Sequence, residues 1–346
     1  MIGAPLLCLV VAEFALRVAT TKTLYFTESN PHYIDREGMM KLKPNLEVWW
    51  YGCHYQINSN GFRMPHEVGP KRGYRILAIG DSVTLGMGVR DTEDVWPSRL
   101  EILLRQRGYD STEVINSAVQ GWNLMKYDSD GNLAPAEFTR FVEETAPKLS
   151  PDIVLYCICL NDVPSRVEEL FSMDNAGNKA RFRFFPESYR EWLKRKAVYR
   201  LARDAFRESR FRKLDFSGIL TASQPPKFWE QVSSELKRLK KAAQAHNAKL
   251  CCIIVPYSYQ LLPANHELLT INRLWHEVLD KNEILWNDLT PVFNADNVLQ
   301  YYSLGDYIHL NKKGHALIAE RAMSLIEHEL TEYDERRNSP ASNTRK

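Results

Sequence analysis

Ser82, Asp306 and His309 are the residues whose types and settings could do chemistry together. Ser82 closes the run Ile76-Leu77-Ala78-Ile79-Gly80-Asp81-Ser82, where a strand-like apolar stretch meets a turn that glycine lets close tightly. A hydroxyl there is a candidate nucleophile for acyl transfer. Taken alone it is as readily a turn former or helix cap, the commoner fate of a single serine. The weight comes from Gly305-Asp306-Tyr307-Ile308-His309-Leu310. An Asp and a His three residues apart on one turn can face the same way, so the carboxylate accepts the imidazole Nδ1–H and leaves Nε2 facing a nucleophile. Of the nine histidines, His309 is the one with an acidic residue so placed. His315 falls inside an expected helix and reads as structural, as do the isolated His32, His54 and His66.

An acyl-transfer site also needs donors for the oxyanion, supplied by loops beside the serine. Asn116-Ser117-Ala118-Val119-Gln120-Gly121 ends in a glycine whose N–H a substrate can approach closely, and Leu160-Asn161-Asp162 offers an amide side chain at a strand end. Each is also readable as ordinary turn chemistry.

The elements that must position these residues begin at Tyr74, where strands alternate with helices, the signature of a parallel sheet covered on both faces. Strands are expected at 75–79, 113–115, 153–160, 250–255 and 284–286. Helices are expected near 97–107, with proline in the first turn, 135–148, 227–246, 266–280 and 312–330, the last capped by Asn311. The expected fold is a three-layer α/β/α, doubly wound, parallel five-stranded sheet of flavodoxin-like order, which binds ligands beyond the carboxyl ends of its strands.

Around this unit of 74–330 the chain divides further: an apolar segment at 1–20, an N-terminal extension at 21–73 that packs on the main domain, an insertion at 164–226, and a disordered tail at 331–346. Residues 2–12 are almost wholly apolar but meet Glu13 and Arg17, short of the ~20 residues a spanning helix needs. A signal-anchor stub, an interfacial helix and a core helix compete; a membrane anchor or its remnant is the favoured reading, with a membrane-associated or extracytoplasmic location. A cytoplasmic one stays open. The insertion is basic and aromatic between Arg181 and Arg207, and is either a helix with a solvated basic face or a lid, a glycan-binding wall or a membrane-surface contact.

Composition excludes little. With 44% hydrophobic and 25% charged residues the chain is globular, and a net charge of +2 gives no reason to expect a nucleic-acid partner. Cys157, Cys159, Cys251 and Cys252 lie in apolar runs and lack the spacing of a structural zinc site, so no metal site is expected. Oligomeric state is not set by the sequence.

The order Gly80-Asp81-Ser82, Gly121, Asn161-Asp162, Asp306-x-x-His309 resembles the four blocks of the SGNH (GDSL-type) hydrolases over about residues 75–320. The resemblance implies Ser82 as nucleophile, His309 as base and Asp306 as its partner. It places the backbone N–H groups of Ser82 and Gly121 and the Asn161 side chain in the oxyanion hole, with Asp81 and Asp162 as supporting carboxylates and no cofactor. Two departures stand out: Cys159 where the family often has glycine, and Val83-Thr84-Leu85-Gly86 instead of leucine directly after the serine. The segment Asn58-Ser59-Asn60-Gly61-Phe62-Arg63 is similar to the lead-in of bacterial members with an N-terminal membrane segment.

The implied activity is hydrolysis of carboxylic esters with short acyl groups, on a small-molecule or glycan substrate. An acetylated or acidic polysaccharide is favoured, and lipid comes second. An O-acyltransferase acting on a glycan shares the acyl-enzyme, and a non-catalytic glycan-binding protein would have no need of the trio. A flavodoxin-like cofactor site lacks a phosphate-cradling loop here, and Gly80-Asp81-Ser82-Val83-Thr84 lacks the second glycine of the α/β-hydrolase elbow.

Overall fold

The computed structural model describes residues 3–19, 30–50, 53–127, 132–163, 198, 226–293, 297–303, 306 and 308–338. Helix α1 (Gly3–Ala19) is followed by two antiparallel hairpins, β1 (His32–Ile34) with β2 (Met40–Leu42) and β3 (Leu46–Trp50) with β4 (Cys53–Ile57). The main unit then runs β5 (Arg75–Ile79), α2 (Ser82–Leu85), α3 (Trp96–Gln106), β6 (Glu113–Asn116), β7 (Met125–Tyr127), β8 (Leu133–Pro135), α4 (Phe138–Leu149) and β9 (Ile153–Ile158). It finishes with α5 (Pro226–Gln244), β10 (Lys249–Ile254), α6 (Leu269–Lys281), β11 (Leu285–Asp288) and α7 (Lys312–Asn338).

Five strands form one parallel sheet in the order β11-β10-β9-β5-β6. Every residue of β5 and β9 is buried, as the apolar runs Ile76–Ile79 and Ile153–Ile158 require of central strands covered on both faces. Helices α3 and α7 pack together, and α5 packs with α4 and α6, giving the three-layer α/β/α arrangement. In chain order the sheet reads 2-1-3-4-5, so the topological switch point lies between β5 and β9. Ser82 and Asn161 follow those two strands and flank that crevice.

The extension is built onto this unit. The His54 N–H donates to Arg90 O at 2.6 Å, and Trp122 Nε1–H donates to Met40 O at 2.9 Å. His66 Nε2 meets Glu101 at 2.8 Å and His54 Nε2 meets Glu47 at 2.8 Å, so both rings take part in hydrogen bonds that tie elements together. His315 is fully buried in α7, where burial pushes its pKa down to about 3. Neutral imidazole accepts the Trp96 N–H at 3.0 Å and so caps the start of α3.

Several boundaries differ from expectation. The helix expected from 135 starts at Phe138, because Leu133–Pro135 pairs with Met125–Tyr127 as a hairpin. The last helix continues through the region expected to be a disordered tail and reaches Asn338; residues 339–346 lie outside the described residues. Asn311 does cap it, accepting the Lys313 and Gly314 N–H groups at 2.8 and 3.3 Å. Among the described residues no helix is long and apolar enough to cross a membrane, and α1 exposes Leu7, Leu9, Val10, Val11 and Phe14. The insertion lies outside the described residues apart from Val198 and Pro226.

Candidate active site

The serine is presented by a tight strand-to-helix turn. Gly80 is required there because a Cβ would fall 2.3 Å from Thr84 Oγ1 and 2.8 Å from Thr84 Cβ. Asp81 caps the single helical turn that follows, its Oδ1 accepting the Val83 N–H at 2.8 Å. Gly86 closes that turn in the left-handed region at φ 86°, and its N–H and that of Met87 both donate to Ser82 O at 3.0 Å. The Ser82 side chain is thereby fixed at the carboxyl edge of β5, and the residue is only 8% exposed.

The histidine loop is held by its own carboxylate. Asp306 Oδ1 accepts the N–H groups of Ile308 and His309 at 2.9 and 3.0 Å, which curls the backbone around the side chain. Its Oδ2 accepts from His309 Nδ1 at 2.7 Å, and His309 Nε2 lies 2.9 Å from Ser82 Oγ. A backbone bridge between Tyr302 and Leu310, with the Ser303 N–H donating to His309 O at 2.9 Å, closes the loop at its base. Burial acts to raise the Asp306 pKa, but the His309 charge, the hydrogen bond to its ring and the two N–H groups prevail and hold the carboxyl at about 2. A permanent anion on Nδ1 fixes the tautomer and leaves Nε2 to accept the serine proton.

Across the switch point, Asn161 Nδ2 donates to Asp81 Oδ2 at 2.8 Å. Asp81 therefore orients both the serine turn and the asparagine amide, and its own pKa is raised by burial against the pull of Val83, Asn161 and His309. Asn161 Oδ1 is buried without a hydrogen-bond partner among the described residues. Asp162 accepts the Cys159 N–H at 2.8 Å and the Leu124 N–H at 3.3 Å, which ties the loop after β9 to the loop after β6. Burial, reinforced by the Asp81 charge, pushes Asp162 up to about 8. Cys159 is 2% exposed and its thiol is pushed up by burial, so the departure from glycine adds an inert apolar group.

The structure thus brings Ser82, His309 and Asp306 into one chain of hydrogen bonds and joins Asn161 to the turn through Asp81. Gly121 lies in the loop after β6, at the same edge, exposed and at φ 77° with open space where a Cβ would point. Sequence reasoning assigned no role to Arg63. It is fully buried and donates to the backbone carbonyls of the loop that follows Ser82. The only sequence signal was its place at the end of the Asn58–Arg63 segment.

Residues 78–317 match the family model of the GDSL-like Lipase/Acylhydrolase family, a span that contains all four blocks. The chain belongs to this family and is an ester-bond hydrolase. No curated protein matches it in sequence. Similar solved structures include the psychrotrophic esterase EstA from Pseudoalteromonas sp., with 18% identity, 74% of this chain and 98% of that one covered, and a TM-score of 0.40. The acetyl xylan esterase AlAXEase shows 17% identity, coverage of 73% and 99%, and a TM-score of 0.42. A catalytic mutant of Axe2, an acetylxylan esterase from Geobacillus stearothermophilus, shows 15% identity, coverage of 74% and 96%, and a TM-score of 0.39. The family assignment rests on the family-model match and not on these likenesses.

Proposed function

We propose that the chain is a serine esterase that forms its acyl-enzyme on Ser82, with His309 as base and Asp306 as the group that orients it. The observation that carries this reading is His309 itself, with Nε2 2.9 Å from Ser82 Oγ and Nδ1 2.7 Å from Asp306 Oδ2. In the first half-reaction the Ser82 hydroxyl gives its proton to Nε2 as Oγ attacks the ester carbonyl, and the imidazolium then protonates the leaving alcohol. Water repeats the sequence to release the acid.

The oxyanion is assigned to the backbone N–H groups of Ser82 and Gly121 and to Asn161 Nδ2. One Nδ2 hydrogen is engaged by Asp81, which sets the plane of the amide and leaves the second for the substrate. The substrate is a carboxylic ester with a short acyl group carried on an acetylated or acidic polysaccharide, a choice that rests on the basic, aromatic stretch from Arg181 to Arg207.

Hydrolysis of a 4-nitrophenyl acetate by the full chain and by Ser82→Ala tests the reading. The expected loss in kcat is at least about 10⁴-fold. Equal turnover by the two proteins removes Ser82 from the mechanism. A folded wild type with no turnover on this ester, but with acyl transfer to a glycan acceptor, would make the chain an acyltransferase.

A further inference from the structure

Arg63 is 0% exposed, and no carboxylate pairs with it among the described residues. Its donors are nevertheless all engaged. Nη1 donates to Leu85 O and Gly86 O at 2.9 and 2.8 Å, and Nη2 to His54 O and Val89 O at 2.9 and 3.2 Å. Nε reaches Thr92 Oγ1 at 3.4 Å, and the guanidinium lies over the Tyr55 ring at 4.2 Å. Five N–H donors thus meet five acceptors, the full capacity of the group. A buried cation matched only by carbonyls, a hydroxyl and a ring face is a costly choice for mere packing, which an apolar side chain would serve better.

What the guanidinium holds is the loop between the nucleophile and the base. The peptide whose carbonyl is Leu85 O supplies the Gly86 N–H, and the peptide whose carbonyl is Gly86 O supplies the Met87 N–H; both N–H groups donate to Ser82 O at 3.0 Å. The same peptides therefore face Arg63 on one side and the serine on the other. Further along, Gly88 lies against the base loop: a Cβ there would sit 3.2 Å from His309 Cβ and 2.6 Å from Ser303 Oγ, and Ser303 Oγ–H donates to Gly88 O at 3.3 Å. Residues 85–89 are a spacer with Ser82 at one end and His309 at the other, and Arg63 is the clamp on the spacer.

We propose that Arg63, supplied by the N-terminal extension, is a positioning residue that sets the separation between Ser82 Oγ and His309 Nε2. The role rests on the reading of those two residues as nucleophile and base. Lysine cannot reproduce it, because a single ammonium on a flexible stem cannot span Leu85, Gly86, His54 and Val89 in one plane.

The test uses the full chain as wild type, Ser82→Ala, Arg63→Lys and Arg63→Ala, with kcat and KM for 4-nitrophenyl acetate measured well below each protein's unfolding midpoint. Arg63→Lys is expected to lose about 10²-fold in kcat with KM changed less than about threefold, since misplacing reacting groups by about an ångström costs that much. Ethylguanidinium added to Arg63→Ala is expected to recover about tenfold of the lost kcat by refilling the site, at an effect well within that positioning range. If Arg63→Ala does not fold, Arg63→Lys carries the test through its split between kcat and KM. Unchanged kcat in folded Arg63→Lys, with only the unfolding midpoint lowered, would make Arg63 a staple of the extension and overturn the proposal. A rise in KM alone would overturn it equally, as a substrate contact. Ser82→Ala turning over as fast as wild type would remove Ser82 as the nucleophile, and the role of Arg63 with it.

Discussion

Asp306 spends both of its oxygens on one task, with Oδ1 curling the backbone onto itself and Oδ2 holding the ring of His309. Asp306→Asn keeps the shape but presents either an N–H₂ to Nδ1, which stabilises the wrong tautomer, or an uncharged oxygen. By analogy with other triads its kcat should fall by about 10⁴-fold with KM nearly unchanged; a variant within tenfold of wild type would show that the carboxylate does not orient the base. The folded Asp306 carboxyl sits at about 2 against about 3.9 in an unfolded chain, so its ionised contribution is whole above about pH 4 and fades only as pH falls through about 2. The Asp306 carboxyl should accordingly add no titration of its own to kcat/KM above about pH 4, and a carbon-13 NMR titration that places it above that pH would contradict the assignment. Ser82, 227 residues from His309, was joined to the base by the family resemblance, while Asp306 and His309, three residues apart, were legible as a pair from their spacing. Arg63 was not. Its partners are main-chain carbonyls 22 to 26 residues away and His54 O, and carbonyl oxygens carry no sequence signature.

The strand-to-helix turn after β5 shows how an element aims a side chain. Gly80→Ala would drive a methyl group into Thr84 on α2, so the turn carrying Ser82 must shift outward. A loss of about 10²-fold in kcat, with the protein still folded by circular dichroism, is the expected result. Full activity in this variant would mean that the turn has slack the geometry does not show. At this scale the sequence was readable where burial is uniform: β9 and β5 beyond Arg75 are apolar throughout, and the flanking helices follow their periodicity. It misled where tertiary pairing outweighs a local signal. Pro135 reads as a helix start, yet β8 pairs with β7 and delays α4 to Phe138. Asp162 was named as supporting, but its link between the loops after β6 and β9 depends on the Leu124 N–H and is visible only in the fold.

Seen whole, the molecule joins a family domain, matched over residues 78–317, to an extension that lies outside the match. The Arg63 clamp and the His54–Arg90 and Trp122–Met40 hydrogen bonds cross that boundary, so the extension and the domain should unfold together. Scanning calorimetry of the full chain should show one cooperative transition for both; a separate early transition for the extension would contradict the coupling. The doubly wound sheet was legible because alternating strands and helices admit few topologies; in the extension the strand ending at Ile57 before the Asn58–Gly61 turn was readable, whereas the three-residue strands β1 and β2 are too short to show a period. The central claim, that acyl transfer runs through Ser82, is tested most directly by treating the full chain with an aryl phosphonate ester and mapping the adduct by peptide mass spectrometry. The account predicts one phosphonyl group per chain on Ser82, loss of esterase turnover in step with its formation, and no adduct in Ser82→Ala. An adduct on another residue, or turnover that survives complete modification of Ser82, would contradict it.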